Sequence, residues 1–368
     1  MGKIIQYLDS IISGERKGVL PSILKGEMLE LSFFALASTR LRRWMYSYGL
    51  INSERLPCKV ISVGNVVVGG SGKTPAVITI TKLLRHTDLK IAIASRGYKS
   101  RSKGIAIVFD DKSILLDPDK AGDEPYLLAH NLTGIPVIIG KDRYKSGLIA
   151  IDKWGTDVLV LDDGFQYLKL KRDVDIITMD STKPFGLDHL LPRGYLRESL
   201  STLKKADAII LTKVDQCDNL DYIYERLDKI SPKVPIFESI HAPSSLIQMD
   251  TSENVRYDKF KGCNILAVSG IANPKSFAKT LNFLNPSRLE IMAFPDHHNY
   301  SQKDIKNIEQ SAIKTKADII IITEKDAPKL AKIKAVPVLT LAIELKLLGS
   351  ADADLLRLIG EKCDLTYV

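Results

Sequence analysis

The sequence has 368 residues, of which 45% are hydrophobic and 26% are charged, so the chain can bury a full core and is neither disordered nor of low complexity. A net charge of +8 favours anionic partners, but no basic motif interleaved with aromatic residues occurs, so we expect no nucleic-acid partner. The cysteines lie far apart without zinc-site spacing, which predicts free thiols in a reducing cytoplasm.

The chain opens with a segment that is typical of a helix lying on a membrane surface. Val19–Ala37 is apolar but is interrupted by charged residues. Its uncharged runs are therefore too short to span a bilayer. Arg40, Arg42 and Arg43 follow, among aromatic residues that favour a lipid interface. We therefore predict that residues 1–50 are a membrane-associating segment that meets an anionic surface; a helix packed on the protein's own sheet is the alternative.

Beyond this segment, short apolar runs rich in β-branched residues alternate with helix-length stretches. Continuous apolar strands of this kind are typical of a parallel sheet that is covered on both faces by helices, so the predicted class is α/β. The predicted strands are Lys59–Val63, Lys90–Ser95, Pro136–Ile139, Val158–Leu161, Asp175–Met179, Ala208–Leu211, Pro235–Ile240, Asn264–Ser269, Leu289–Phe294, Asp318–Thr323 and Val336–Ile343.

The predicted strands are many for a single sheet, which favours two units. Residues 241–260 are polar and rich in turn formers, and they mark the predicted boundary. We predict a nucleotide-binding domain at 51–240 and a smaller α/β domain at 241–345, joined by a two-stranded linker. Residues 346–368 are predicted to form a C-terminal helix that returns to the first domain.

A glycine-rich loop lies between the first predicted strand and a predicted helix at Ala76–Leu84. In this context glycines let backbone N–H groups converge on an anion at a helix N-terminus, which indicates a P-loop. Lys73 is expected to bridge the β- and γ-phosphates of the nucleotide, and the Thr74 hydroxyl to ligate Mg²⁺. The residues predicted to contact the nucleotide are Val67, Val68, Gly69, Gly70, Ser71, Gly72, Lys73 and Thr74.

A second acidic signal supports nucleotide binding. Val158–Leu161 ends in Asp162 and Asp163, and a buried strand that delivers carboxylates at its C-terminal end suits a Mg²⁺ site beside a phosphate loop. Adjacent strand residues point to opposite faces, so we expect one of the two aspartates to meet the ion directly. With Thr74, they form the predicted metal site.

The sequence indicates less directly which nucleotide base is bound. Thr212–Asp215 follows a strand and imitates a guanine-reading motif, although a capped helix start would read the same. The acidic strand ends in DDGF rather than DxxG, which leaves no glycine placed to sense a γ-phosphate. We therefore predict ATP, with Mg²⁺, as the nucleotide.

Polar and cationic side chains gather where predicted strands end, at the rim on which open α/β sheets bind ligands. Arginines in this number suggest an anionic substrate in addition to the nucleotide. The residues predicted to contact that substrate are Arg96, Tyr98, Arg143, Gln166, Arg193 and Arg197.

The ordered set of motifs resembles the tetraacyldisaccharide 4'-kinase family, the lipid A 4'-kinases of Gram-negative bacteria, over nearly the whole chain. The motifs are VGNVVVGGSGKTP, SRGY, AGDEP, LDDGFQYLKLKRDVDI, PRGYLRE, SGIANPKSF, FPDHHNY and TEKDAPKL, in family order. The resemblance implies ATP-dependent phosphorylation of the 4'-hydroxyl of an acylated glucosamine disaccharide 1-phosphate at the cytoplasmic face of the inner membrane. We expect a monomer. Tyr167 departs from the family, which usually has histidine there.

A sugar hydroxyl needs a base, and two residues suit that role. Asp123 opens a predicted helix in the first domain, and His297 follows a strand in the second. The resemblance supports the same positions, so we predict that His297 orients Asp123 and that the two halves face one another across a cleft. A helix cap is the plain alternative for Asp123, and a packing role for His297.

Two other functions remain open to the sequence. A P-loop NTPase that acts as a switch or assembly factor would use the same loop and aspartates, but it would hydrolyse nucleotide without an acceptor. A non-catalytic membrane scaffold with a relic loop would bind no nucleotide, and the intact Lys73, Thr74 and Asp162 argue against it.

Overall fold

A computed structural model describes residues 2–251, 253–330 and 333–365, with the side chains of residues 2–6 excepted. The outer ends of the two predicted terminal segments, Met1 and residues 366–368, lie outside this description.

The described strands include every strand that the sequence predicts, mostly with small shifts at their ends, but the strand predicted at Pro235–Ile240 extends to Gln248 and the last one to Leu347. They are β1 (Lys59–Gly64), β2 (Ile91–Ser95), β3 (Ala106–Phe109), β4 (Val137–Ile139), β5 (Val158–Asp162), β6 (Val174–Asp180), β7 (Ala208–Thr212), β8 (Ile236–Gln248), β9 (Asn264–Ser269), β10 (Arg288–Ala293), β11 (Ile319–Thr323) and β12 (Val338–Leu347). The short edge strand β3 is not predicted, because four residues at a sheet edge carry little periodic signal.

Helices connect most of these strands. They are α1 (Gly2–Ile12), α2 (Val19–Ser47), α3 (Lys73–Leu84), α4 (Pro118–Ala121), α5 (Asp123–Asn131), α6 (Arg143–Trp154), α7 (Leu220–Ile230), α8 (Pro274–Leu281), α9 (Gln302–Thr315), α10 (Ala327–Leu330) and α11 (Ala351–Cys363). Single 3₁₀ turns occupy Gly186–Asp188, Leu200–Lys205, Val214–Gln216, Tyr257–Phe260 and Asn282–Leu284.

The strands form one continuous twelve-stranded sheet in the order β10-β9-β11-β12-β8-β7-β6-β1-β5-β2-β4-β3. Neighbours are parallel except at β3–β4 and at β8–β12. Helices α3, α5 and α11 cover one face of the first half, and α6 and α7 cover the other. The predicted α/β class is confirmed, and the parallel arrangement brings the carboxyl ends of the strands to one edge, where ligands bind.

The long strand β8 joins the two halves of the sheet. Its first residues pair parallel with β7, and residues from Ser239 onward pair antiparallel with β12. The strand therefore continues through the polar residues at which the sequence pattern places a boundary, because the hydrogen bonds of the pairing outweigh weak strand propensity. The division into domains stays a prediction; the paired β8 and β12 form a two-stranded connection.

Helix α2 is 29 residues long, about 44 Å at 1.5 Å per residue. One side packs on the loop before the second 3₁₀ turn, where the Ser32 hydroxyl donates to the Leu190 carbonyl at 2.7 Å. Large apolar side chains on its other side are exposed: Val19, Leu20, Ile23, Leu31, Phe33, Phe34, Leu41 and Trp44. None of the described helices is long and apolar enough to cross a membrane.

One close approach of backbone holds the acidic turn after β5 against β1. A Cβ on Gly64 would lie 2.9 Å from the Phe165 backbone nitrogen and 2.5 Å from its Cβ. We expect Gly64→Ala to lower the free energy of unfolding by about 1–3 kcal/mol, because backbone atoms must shift to admit the methyl group.

The matched control is Gly26→Ala in α2, where a Cβ would meet nothing within 4 Å. This change should be neutral or stabilise by about 0.5–1 kcal/mol. Urea unfolding of the two variants measures both effects, and equal stability of Gly64→Ala and the unsubstituted protein would contradict the packing argument.

Candidate active site

The glycine-rich loop connects β1 to α3, as the sequence predicts. Gly72 adopts φ 82°, a left-handed conformation that glycine tolerates, and Lys73 begins the helix directly after it. The Asn65 side-chain amide donates to Ser71 Oγ at 2.9 Å, and Ser71 Oγ also lies 2.9 Å from Thr178 Oγ1. The loop is thereby fixed with its backbone at a helix N-terminus, an arrangement suited to phosphate.

Val68 corrects the predicted set of loop contacts. Its backbone N–H donates to the Tyr195 carbonyl at 2.7 Å, and Val67 forms an isolated antiparallel bridge with Leu196. The Val68 amide is therefore already used by the neighbouring loop and does not point at a phosphate. The glycine-rich part, Gly69 to Gly72, lines the cleft described below.

Residues behind the loop support it from the other strands. Lys213 Nζ donates to the Gly70 carbonyl at 3.1 Å, and Thr212 Oγ1 donates to the Ser71 carbonyl at 3.2 Å. Asp215, which a guanine reader would need in the cleft, is exposed and is not among the lining residues. The imitation of a guanine motif is thus explained by loop support, which agrees with the prediction of ATP.

His241 is a cleft residue that the sequence does not single out. Its Nε2 is buried and has no hydrogen-bond partner in the described part of the chain, and it lies 2.9 Å from the position of a Cβ on Gly72. Burial lowers the pKa of His241 to about 3, with a further contribution from the charge of Lys213. A neutral imidazole therefore packs under the loop, and a lone histidine within strand β8 carries no motif that could reveal it.

The two adjacent aspartates have different surroundings, although not through alternation along a strand: β5 ends at Asp162, and Asp163 lies in the following turn with φ 55°. Asp162 is buried at the end of β5 and accepts a hydrogen bond from Ser95 Oγ at 2.8 Å. Burial, with the nearby carboxylate of Glu124, raises the pKa of Asp162 to about 7. The only side-chain donor to Asp162 within the described ranges is a neutral hydroxyl. A bound cation would therefore stabilise the ionised form of this carboxylate.

Asp163, by contrast, already has cationic partners. Arg197 donates to both of its carboxylate oxygens, at 2.6 and 3.1 Å, and Lys73 Nζ lies 3.8 Å from Oδ1. Burial raises the pKa of Asp163, but Arg197 and Lys73 outweigh it and the net shift is downward. The Asp163 carboxylate therefore holds Lys73 of the phosphate loop beside Arg197, which lies between β6 and β7.

Two predicted substrate residues also brace the loop. Arg197 Nη1 donates to Asn65 Oδ1 at 2.9 Å, and Gln166 Nε2 donates to the Asn65 carbonyl at 2.8 Å. Gln166 Oε1 is buried without a partner among the described residues. Arg197 and Gln166 therefore lie beside the phosphate loop, and Gln166 keeps an acceptor atom free.

Arg143 differs from the picture of an arginine at an open rim, because it is buried. Its guanidinium stacks 4.7 Å from the ring centroid of Tyr167, and burial lowers its pKa. The Tyr167 hydroxyl donates to Asp142 Oδ1 at 3.2 Å and accepts from the Arg143 amide at 3.1 Å. Tyr167, where the family usually has histidine, thus shapes the setting of Arg143.

The remaining predicted substrate residues are more open. Arg96 is exposed directly after β2, and its positive charge contributes to the lowered pKa of Arg143, so the two arginines are neighbours. Arg193 is half-buried, and its backbone N–H donates to Ser32 Oγ of α2 at 3.0 Å. Tyr98 is 53% exposed, and its ring centroid lies 5.5 Å from that of His297.

Asp123 and His297 meet across the two halves of the sheet. His297 Nδ1 lies 2.9 Å from Asp123 Oδ2, and Lys329 Nζ donates to the same oxygen at 2.6 Å. Burial would raise the pKa of Asp123, but the hydrogen bonds from His297 and Lys329 outweigh it and lower the pKa to about 2. The carboxylate is therefore ionised at neutral pH.

His298 has a different environment. Its Nε2 lies 3.2 Å from Asp304 Oδ2, and its ring stacks on Phe294 at 4.9 Å between centroids. These contacts are internal to the second half, so the distinction drawn from the sequence between His297 and His298 has a structural basis.

A cleft extends from the phosphate loop to Glu124 and Asp296, the residues next to Asp123 and His297. The loop and Thr74 form one wall; Glu124 and Asp296 stand at one end; the second half of the sheet supplies the other wall. The second-half residues that line it include Ile271, Ala272, Asn273, Ser276, Phe277, Lys325 and Leu341. Most of these lie in the motifs SGIANPKSF and TEKDAPKL, which the sequence offers by resemblance without assigning them a site role, because only the pairing of β8 with β12 brings them to the loop.

No group of three or more histidine, cysteine or acidic side chains is positioned to hold a metal ion within the described residues. Thr74 and Asp162 nevertheless fit a divalent cation of the kind that shares its coordination with phosphate oxygens, because such ions take only one or two protein ligands. The unpaired buried carboxylate of Asp162 is the observation that supports this fit.

Comparisons with known proteins identify the family that the chain resembles. The family model described as "LpxK: Tetraacyldisaccharide-1-P 4'-kinase" matches residues 26–361. A "Tetraacyldisaccharide 4'-kinase" of Syntrophus aciditrophicus is 40% identical over 351 residues, covering 90% of this chain and 91% of the relative. Another of the same name, from Halothermothrix orenii, is 34% identical over 370 residues and covers 95% and 96%.

A solved structure gives the same result. The crystal structure of the "apo" form of LpxK from Aquifex aeolicus in complex with ATP matches with a TM-score of 0.72 and 33% identity, over 92% of this chain and 99% of that one. The family match and these relatives extend over both halves of the sheet, so they include the loop and the cleft. The chain belongs to the tetraacyldisaccharide-1-P 4'-kinase family.

Proposed function

We propose that this chain is an ATP-dependent kinase that phosphorylates the 4'-hydroxyl of a tetraacylated glucosamine disaccharide 1-phosphate in lipid A biosynthesis. The observation that carries the proposal, in a member of this family, is the phosphate loop whose cleft reaches Glu124 and Asp296, each directly beside a member of the hydrogen-bonded Asp123–His297 pair. The direct test is mass spectrometry of the acceptor after incubation of the protein with Mg-ATP and tetraacyldisaccharide 1-phosphate. A mass gain of one phosphate on the acceptor supports the proposal, and nucleotide hydrolysis that does not depend on acceptor contradicts it.

The donor is held by the glycine-rich loop and Lys73. The glycine-rich loop, Gly69 to Gly72, lines the cleft at the start of α3, where the helix dipole favours the phosphates. Lys73 supplies a charge-assisted contact to the transferring phosphoryl group. Thr74 and Asp162 would hold Mg²⁺, which neutralises charge that develops on the phosphates.

Asp163 has a separate role in this proposal. Because Arg197 and Lys73 share its carboxylate, it orients both cations toward the transferring group and contacts the metal less readily than Asp162. The sequence leaves open which of the two aspartates meets the ion, and the distribution of cationic partners favours Asp162.

The acceptor hydroxyl is expected to meet the Asp123 carboxylate. His297 donates from Nδ1 and fixes the orientation of that carboxylate. An aspartate with a pKa of about 2 is a weak base, but phosphoryl transfer passes through a loose transition state in which the hydroxyl needs little proton removal until late. Positioning therefore accounts for most of the contribution of this pair.

The anionic acceptor is proposed to contact the cationic and polar rim. Arg96, Tyr98 and Arg193 are open enough for direct contact, and Arg197 and Gln166 lie at the loop. Arg143 acts from a buried position on the Tyr167 ring, where water is excluded and its charge is weakly screened.

Helix α2 is proposed to rest on the cytoplasmic face of the inner membrane through its exposed apolar side. Arg43 corrects the predicted set of lipid-facing cations: it is buried, its Nε donates to Glu198 Oε2 at 2.7 Å, and its guanidinium lies 4.7 Å from the Phe165 ring centroid. It fastens α2 to the loop that carries Arg197, whereas Arg40 and Arg42 are exposed, and Arg42 Nη2 donates to the Gln166 carbonyl at 3.3 Å. Since one chain supplies every part of the proposed site, a monomer suffices.

The first prediction concerns Lys73→Ala. Loss of the contact to the transferring phosphoryl group should lower kcat by about a hundredfold or more. Steady-state kinetics with saturating ATP and acceptor measure the change. Lys82→Ala, at an exposed lysine in the last turn of the same helix, is the control and should keep normal turnover. Near-normal kcat in Lys73→Ala would exclude this loop as the donor site.

The second prediction concerns the Asp123–His297 pair. Asp123→Asn and His297→Ala should each lower kcat with little change in ATP affinity, because neither residue holds the nucleotide. The double variant should lose less than the product of the single losses, since the pair acts as a unit. Kinetics of the three variants, with ATP binding measured by calorimetry, give the comparison. A loss of kcat in the double variant equal to the product of the two single losses would contradict the paired role.

The third prediction concerns α2. The combined change Phe33→Ser, Phe34→Ser and Arg40→Glu should weaken binding to vesicles that contain anionic lipid and raise KM for the lipid acceptor, with ATP affinity unchanged. Co-sedimentation with vesicles measures the binding. A control with Lys306→Glu and Lys314→Glu changes exposed lysines on α9. Vesicle binding that is equal in all three proteins would place the membrane contact elsewhere.

A further inference from the structure

Asp123 is bound from the second half of the sheet by two side chains, and only one of them is His297. The other is Lys329 on α10, whose Nζ lies 2.6 Å from Asp123 Oδ2. Both side chains are largely buried, with 14% of Lys329 and 10% of Asp123 exposed. A lysine ordered this far from water loses about 2 kcal/mol of side-chain entropy at most, so a strong contact is needed to hold it there.

The two donors converge on a single carboxylate oxygen. His297 Nδ1 and Lys329 Nζ both bind Oδ2, and no side-chain donor to Oδ1 is found in the described ranges. With Oδ2 fixed from two directions, the carboxylate cannot rotate freely, and Oδ1 is left to meet an incoming hydroxyl.

We propose that Lys329 is a positioning residue for the Asp123 base, which it holds together with His297 so that Oδ1 alone faces the acceptor. This inference rests on the proposed kinase function. Lys329 belongs to the second half of the sheet and Asp123 to the first, so the contact also makes the base dependent on the two halves being in register. It contributes no proton and touches no reacting atom.

The charges around the pair determine the sign of its pH dependence. Beyond His297, Lys325 Nζ lies 3.2 Å from Nε2, and Glu124 and Asp296 each lie 3.8 Å from the same nitrogen. Tyr300 and Asp326 lie on the other side, where the Tyr300 hydroxyl donates to Asp326 at 3.1 Å. Around the Asp123–His297 pair, the cations are therefore Lys325 and Lys329, and the carboxylates are Glu124, Asp296 and Asp326.

Removal of the Lys329 ammonium therefore leaves Asp123 among carboxylates with one cation fewer. The pKa of Asp123 must then rise, because the charged form loses a favourable partner. The pKa of Asp123 starts at about 2, far below the pKa of about 7 of Asp162, so its rise is followed on the Asp123 carboxyl resonance itself and not on the acid limb of a rate profile.

The test is Lys329→Met, which keeps the length of the side chain and removes its charge. We expect kcat to fall about ten- to hundredfold, which is less than the hundredfold or more that loss of a general base costs, because the base itself is still present. KM for ATP should be unchanged. The Asp123 carboxyl resonance, observed by NMR of the labelled protein, should titrate at higher pH than in the unsubstituted protein. Lys329→Arg, which keeps the cation, should recover part of kcat and return the pKa of Asp123 toward its original value. Lys303→Met, at an exposed lysine on α9, should change neither quantity.

The outcomes separate this inference from the proposed function. If the unsubstituted protein fails to phosphorylate the acceptor, the proposed function fails. If it is active and Lys329→Met keeps both kcat and the pKa of Asp123, only the inference is overturned. An equal loss in Lys329→Met and Lys329→Arg with an unchanged pKa of Asp123 also overturns it, because that result indicates packing alone. Should Lys329→Met not fold, as judged by thermal unfolding, Lys329→Gln takes its place under the same criteria.

Discussion

The antiparallel pairing of β8 with β12 is the interaction on which the site depends. It extends the sheet beyond β7 and fixes the second half beside the carboxyl ends of the first. Only with that pairing in place do His297 and Lys329 reach Asp123, residues that are 174 and 206 positions away in sequence. Contacts between residues this far apart in sequence cost chain entropy, which local structure does not offset. The continuous ladder of backbone hydrogen bonds between β8 and β12 offsets that cost.

The distribution of charge divides the cleft into two regions with different chemistry. At the phosphate loop, Asp163 is neutralised by Arg197 and Lys73, while the buried Asp162 has a neutral partner and keeps its demand for a cation. At the opposite end, Asp123 is surrounded by donors that keep it ionised. Burial and different partners thus give two carboxylates of the same kind different properties, which suit Asp162 to the proposed role of metal ligand and Asp123 to the proposed role of base.

Helix α2 connects the proposed membrane contact to the acceptor side of the cleft. The buried pair of Arg43 with Glu198 and the hydrogen bond from the Arg193 amide to Ser32 join the helix to the loop that also carries Arg197. The exposed apolar side of α2 and the proposed acceptor contacts therefore belong to one rigid unit. A lipid-linked acceptor could meet the rim without leaving the interface in which its acyl chains lie.

The sequence by itself determined the α/β class, the strands and the phosphate loop, because hydrophobic periodicity and glycine spacing are local properties of the chain. It also named Asp123 and His297, through motifs that resemble a family. Only the tertiary structure decided that Arg43 turns inward, that the Val68 amide is used by a neighbouring loop and that Lys329 holds the base. These are long-range contacts, and an arginine or lysine carries the same local signal whether its partner is water, lipid or a buried carboxylate.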